Sequence, residues 1–381
     1  MWYNLNNRTR IKMTNNFKKL LTTGTTILAL SAIGNVTATS VKAADVELTG
    51  GLNAPNDLSA VTASENILNK VENVPPFDSG ELDVDDGVTV KTINSDFAGT
   101  LSVYDSASGG DRLTVSDFAD VAPGTTLVII GGNEQFDGSG TAGAADITVT
   151  NTLGEDDGST LTRGGTLRFL GAQDTAGTSS LAVNGDTLMT GVSIEGGQSD
   201  FSVSNTPGQD VTATFGDDGT DTFDTTGFSV EGGSTDILSA LAGGSATARV
   251  NGPAFIGSDG LNVTGGTTAF AQAKGGLARA TFANTVTITG GATIVTGGNA
   301  FGTNEDGGDA NLIFLNDVTS DSTLALISGV DTPDAEPGDA FVTFSADATF
   351  TGGTTLTETT PGDTVTLTFD GTGAQSFTGT I

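Results

Sequence analysis

Gly-Gly pairs open at positions 131, 164, 196, 232, 265 and 297, in steps of 33, 32, 36, 33 and 32 residues. Their flanks agree: "VIIGGNEQF", "LTRGGTLRF", "SIEGGQSDF", "SVEGGSTDI", "NVTGGTTAF" and "TIVTGGNAF". A second marker is an apolar run ending at Phe215, Phe282, Phe314, Phe344 and Phe369, whose last three steps are 32, 30 and 25 residues. A chain rich in glycine produces Gly-Gly pairs by chance, but not a run of such even spacings with matching flanks. A period in this range signals a repeat architecture, in which each unit buries its apolar face only against its neighbours.

The residue types choose among repeat architectures. Between the markers the sequence alternates Thr or Ser with Val, Ile, Leu and Phe, as in "TFANTVTITGG" at 281–291 and its near-copy "TFSADATFTGG" at 343–353. Period-2 alternation of β-branched residues reads as strand, whereas helical repeats of this length need helix formers. A unit of 30-odd residues is too short for a sandwich domain of about 100. The expectation is therefore an all-β chain, a right-handed parallel β-helix or β-solenoid of ~32-residue repeats. Apolar residues (Phe282, Val286, Ile288) face the bore, threonines (Thr285, Thr287, Thr289) face out, and glycine pairs turn the corners. About eight coils fit into 126–381, a rod of roughly 40 Å at the spacing of neighbouring strands. A β-propeller is the alternative, ranked second because its four-stranded blades need more strand than most units hold.

Three regions follow. Residues 1–43 read as a secretory signal: Lys18 and Lys19 precede a short apolar run at 20–33, and Val41-Lys42-Ala43 places small residues for cleavage after Ala43. Met13 is a candidate true start. The run is too short and too rich in threonine for a membrane-spanning helix. Residues 44–125 are less regular and read as an N-terminal cap; the helix-like spacing at 58–74 suggests a short helix or capping element there. Residues 126–381 form the repeat region, with "TGTI" at the end resembling the start of another coil.

Composition narrows the chemistry. The chain has no Cys and no His, which removes Ser–His–Asp triads, Cys–His pairs and His- or Cys-ligated zinc. From Asp45 onward, 46 acids meet eight bases, a net of −38. A surface so negative repels nucleic acid. Paired carboxylates could serve a glycan hydrolase or lyase. Here, however, the acids cluster in turn phrases such as "GEDDGS", "GDDGTD" and "NEDGGD", where Asp bonds its own backbone. Most of the few Trp and Tyr residues precede the expected mature start. The reading is non-enzymatic. One metal candidate stands out. "GDDGTDTF" at 216–223 matches a calcium-binding nonapeptide except at Asp217, making Asp217, Asp218 and Asp221 candidate Ca²⁺ ligands. The motif works by tandem stacking, and no strong second copy adjoins it.

The phrases "TFANTVTITGGATIVTGGNAFG", "ANLIFLNDVTSDSTLAL" and "VTLTFDGTGAQSFTGTI", with the signal-like start, resemble the passenger regions of bacterial autotransporter surface antigens, above all rickettsial outer-membrane surface antigens. The resemblance is best over 210–381. It implies a β-helical passenger at the outer surface of a Gram-negative cell, in adhesion or a surface coat. The partners implied are host-cell or neighbouring surface molecules and an outer-membrane translocator supplied by a longer or split gene, since this sequence carries no barrel pattern of its own. The rival is a secreted calcium-dependent or carbohydrate-active solenoid.

Overall fold

In the computed structural model the described residues are the strand segments from Val46 to Val121 with the turn at 123–124, then 126–131, 144–156, 161–172, 177–199, 207–235, 241–269, 273–301, 305–332, 335–359 and 363–377. Every regular element among them is a strand. The expected signal at 1–43 and cleavage after Ala43 lie outside the described residues.

The chain forms a parallel β-solenoid, not a propeller. Ten strands stack in one sheet, which ends with Asp210–Phe215, Ala246–Val250, Ala278–Phe282, Ala310–Phe314, Ala340–Phe344 and Val365–Phe369. The other strands belong to a second, 21-stranded sheet. Beyond Ala254–Thr264 this sheet divides into two ladders. Val286–Ile288 stacks under Val318–Ser320, Ala348–Phe350 and Gln375–Phe377. Thr293–Thr296 stacks under Leu324–Ile327 and Thr354–Thr357. Each of these coils thus presents three faces. In earlier coils the last two faces are one long strand, as in Thr187–Glu195, Phe223–Glu231 and Ala254–Thr264. Where they meet, Gly260 has φ +80°, and a Cβ there would lie 2.2 Å from the Ala292 carbonyl oxygen. Only glycine fits that bend.

Alternation fills the bore. Phe282, Val286 and Ile288 are buried, while Thr285, Thr287 and Thr289 are not. The phrase at 343–353 lies two coils away, because Phe282 pairs with Phe314 and Phe314 with Phe344. Their rings stack at 5.4 and 5.3 Å, nearly parallel, and each such contact contributes about 0.5–1.5 kcal/mol beyond the area it buries. Register puts Val250 between Phe215 and Phe282. The shorter side chain leaves room that Phe228 fills from another face, 6.3 Å from Phe215 and 5.9 Å from Phe282.

Several details differ from expectation. The 58–74 segment contains the strand Asn66–Asn69, paired in parallel with Thr92–Ser95. The described strands of Val46–Val121 join the same stacks, so coil-type pairing begins before residue 126. Ladder bonding there overrides a helix propensity that is only a weak prior. Not every threonine faces out, since Thr187, Thr225, Thr293 and Thr354 are buried. The outward threonines do align, Thr287 with Thr319 and Thr349. Threonine hydroxyls bond across coils at Thr190, Thr226 and Thr351, and aspartates add a recurring clamp. Asp186, Asp210, Asp309, Asp317, Asp339 and Asp347 each accept a backbone N–H from the next coil, from Thr222, Ser245, Asp339, Asp347, Thr364 and Ala374 respectively. These six acids thus have a structural role.

The glycine pairs at 196, 232, 265 and 297 are not corners with positive φ. They meet a second glycine series, Gly243–Gly244, Gly275–Gly276 and Gly307–Gly308, returning toward the ten-stranded sheet. Gly298 N–H donates to Gly308 O within a coil, and Gly308 N–H to Gly266 O of the coil below. The same alternation links Gly266 to Gly276 and Gly276 to Gly233. A Cβ on Gly298 would lie 2.0 Å from Gly266 O, and one on Gly308 2.0 Å from Gly276 O. Backbone packs on backbone here, forming a neck in which a side chain has no room.

Candidate functional site

Two places can carry function on such a scaffold: the acidic corner proposed from the sequence, and the segments that leave the rod through the glycine neck.

The acidic corner lies between Asp210–Phe215 and Phe223–Glu231. Gly216, at φ +77°, turns the chain out of the first strand. The loop brings Asp217, Asp218 and Asp221 together, with one carboxylate oxygen from each lying within 4.8 Å of the others. Their oxygens already have work within the loop. Asp221 Oδ2 accepts the backbone N–H of Asp217 at 3.0 Å and of Asp218 at 3.3 Å. Asp218 Oδ1 accepts both the N–H and the hydroxyl of Thr220 at 2.6 Å. These bonds favour ionised Asp218, and the Thr220 hydroxyl leads in holding its pKa below the usual carboxylate value. Asp217 is pushed the other way, by lost hydration first and then by the Asp221 carboxylate.

The surroundings of this corner also differ from a stacked calcium motif. Tandem sites hold each ion between like turns of neighbouring coils. The neighbouring corners here present asparagines. Asn251 Nδ2 donates to Gly216 O at 2.7 Å, and Asn284 Nδ2 donates to Gly219 O at 2.8 Å. Two loop carbonyls that a cation could use are thus taken by amide donors. The geometry is that of a self-bonded acidic turn clamped across coils.

A second acidic contact lies on the outer side of the 21-stranded sheet. Arg168 Nη2 reaches both oxygens of Glu195 at 3.1 and 3.2 Å, and Glu195 pairs in register with Glu231 on the next coil. Burial, and then the Glu195 charge, raise the Glu231 pKa against the pull of Arg168. The Ser193 hydroxyl donates to Glu195 Oε1 at 2.8 Å. This is one surface ion pair with a second, repelling carboxylate stacked beside it.

Beyond the neck the excursions stack on one another. Isolated parallel bridges link Ser199 to Thr235, Thr268 to Ala300 and Ala300 to Asp331 on the way out. On the way back they link Lys274 to Asp306 and Asp306 to Glu336. The result is a lateral ridge one excursion thick per coil. Glu305 pins its interior: Oε2 accepts the Phe301 N–H at 2.7 Å and the Thr268 hydroxyl at 3.3 Å, and the residue is 1% exposed. Outside, Phe301 and Val330 stand 49% and 45% exposed. The ridge was legible only in part. The second glycine series, with Gly244, Gly276, Gly308 and Gly338 in steps of 32, 32 and 30, is a sequence signal for it. Comparison of the chain with protein-family models, with curated proteins and with solved structures finds no match to any of them.

Proposed function

We propose that this chain is a non-enzymatic bacterial surface protein, an adhesive or coat passenger whose β-solenoid is a rod displaying side excursions. The observation that carries the reading is the ridge. Five successive coils, those with excursions near 199, 235, 268, 300 and 331, send chain out through a neck that spends glycine after glycine on the exit. A scaffold that excludes side chains to keep two chain segments together suits the display of what lies beyond. The signal-like start at 1–43, the negative charge and the likeness to autotransporter passengers agree with export to the outer surface of a Gram-negative cell. There the partners are host-cell or neighbouring surface molecules, and an outer-membrane translocator serves export. The rival, a secreted calcium-dependent or carbohydrate-active solenoid, draws on Asp217, Asp218 and Asp221, but the bonds already made by those oxygens favour a turn.

The test is to express the whole chain with a translocator in a Gram-negative host and treat intact cells with protease. The reading expects cleavage of the chain on intact cells and a mature amino terminus at Ala44. A chain fully protected inside the cell overturns it, as does release of sugar from a polysaccharide by the purified protein.

A further inference from the structure

Of the five bases whose side chains are described, three have carboxylate partners: Arg163 with Asp224, Arg168 with Glu195 and Lys274 with Asp306. The other two, Arg249 and Arg279, form no ion pair among the described residues, in a chain carrying 46 acids. They lie on adjacent coils of the ten-stranded sheet, both exposed and both on its outer face. Register makes a square of them: Thr247 pairs with Arg279, and Arg249 with Thr281. The two α-carbons stand diagonally, about 8 Å apart from strand spacing and rise. Arg249 is held by its Nε donating to Asn251 Oδ1 at 2.7 Å, which leaves the end of its guanidinium free. The aspartates bordering this face are occupied. Asp210 and Asp309 accept the backbone N–H groups of Ser245 and Asp339.

We propose that this face binds an anionic polysaccharide through Arg249 and Arg279. Each guanidinium is a planar fork that matches a carboxylate or sulfate, and two of them on one rigid sheet combine their contacts on a polymer. Thr247 supplies a hydroxyl between them, and half-buried Ile313 and Phe341 continue the same outward columns. Nucleic acid needs many phosphate contacts along its length, and Arg249 and Arg279 are the two bases without an ion pair among the described residues. The inference rests on this face alone and not on where the chain is located.

The experiment uses the purified full chain on immobilised heparin, which carries sulfate and carboxylate, on hyaluronan, which carries carboxylate only, and on neutral dextran. The expected result is low-salt binding to at least one anionic probe and none to dextran. R249Q and R279Q should each weaken it about tenfold, the size of one charge-assisted hydrogen bond, and the double variant should abolish it. K274A, which removes an already paired base, should bind like the wild type. Circular dichroism checks each fold, and R249K/R279K, retaining charge without the fork, should bind weakly in place of a double variant that fails to fold. Wild-type chain that ignores both anionic probes, or a folded double variant that binds undiminished, overturns the proposal. Failure here rejects this face. Failure of the intact-cell protease test rejects surface display, so the two outcomes are separable.

Discussion

The bore and the neck are both made by repetition, and they use opposite means. In the bore, Phe282, Phe314 and Phe344 fill space with stacked rings. In the neck, Gly266, Gly298 and Gly308 leave no space to fill, and backbone bonds backbone across and between coils. The bore is stabilised by apolar area removed from water, a large and non-directional contribution. The neck buries little apolar surface and relies on satisfied peptide groups, each of modest net worth. The bore should therefore carry the stability of the rod, and the neck the placement of the ridge.

Substitutions can break or sharpen this contrast. Phe314→Ala removes the middle ring of the stack and should cost about 3–5 kcal/mol, read as a global fall in the urea midpoint. Gly308→Ala places a methyl against the Gly276 carbonyl and should cost about 2–3 kcal/mol, in the range of overpacked sites. Its signature should be local, with proteolysis appearing first near 299–306 while the β signal persists. A global loss for Gly308→Ala equal to that of Phe314→Ala would erase the distinction. Thr293→Val should stabilise by about 1 kcal/mol: the Thr293 hydroxyl is buried without a partner, between Leu261 and Leu324. A fall in melting temperature for this variant would contradict the packing described.

The smallest effect concerns pH. Asp339 is raised above the usual carboxylate pKa by lost hydration first, with Asp309, Asp363 and Asp306 adding, against the pull of the Thr364 N–H. An acid whose pKa is higher folded than unfolded opposes folding once ionised. Its penalty is absent below the unfolded value and complete above the folded one. Asp339→Asn keeps an acceptor for Thr364 and should stabilise by about 0.5 kcal/mol or less near neutrality, given the exposure of the site. The gain should fade as pH falls through the carboxylate range. A gain that grows toward acid reverses the sign.

The bore was readable because alternation reports which side a residue faces. Phe282, Val286, Ile288 and the threonines between them have the burial expected, and the near-copy at 343–353 lies two coils on. The corner glycines were readable at Gly290 and Gly353, where φ is positive. The neck was misread as more corners, because a Gly-Gly pair looks the same whether it needs a positive φ or the absence of a Cβ. The two are separated only by knowing what lies opposite, and opposite Gly298 lies another excursion's glycine. At the acidic corner, the proximity of Asp217, Asp218 and Asp221 was legible. The amides of Asn251 and Asn284 were not, because they reach the loop from coils 35 and 65 residues away in sequence. That Arg249 and Arg279 have no ion pair among the described residues was hidden for the same reason: pairing is a property of register, and register is set by the stack.

The central claim is that coils stack in parallel and in register, and spin labels test it most directly. The chain contains no cysteine, so Thr287→Cys with Thr349→Cys places two labels at outward positions that register puts two coils apart. The stack predicts α-carbons about 10 Å apart, twice the strand spacing, and strong dipolar broadening of the spectrum in frozen solution. A doubly labelled spectrum that equals the sum of the two singly labelled ones would contradict it.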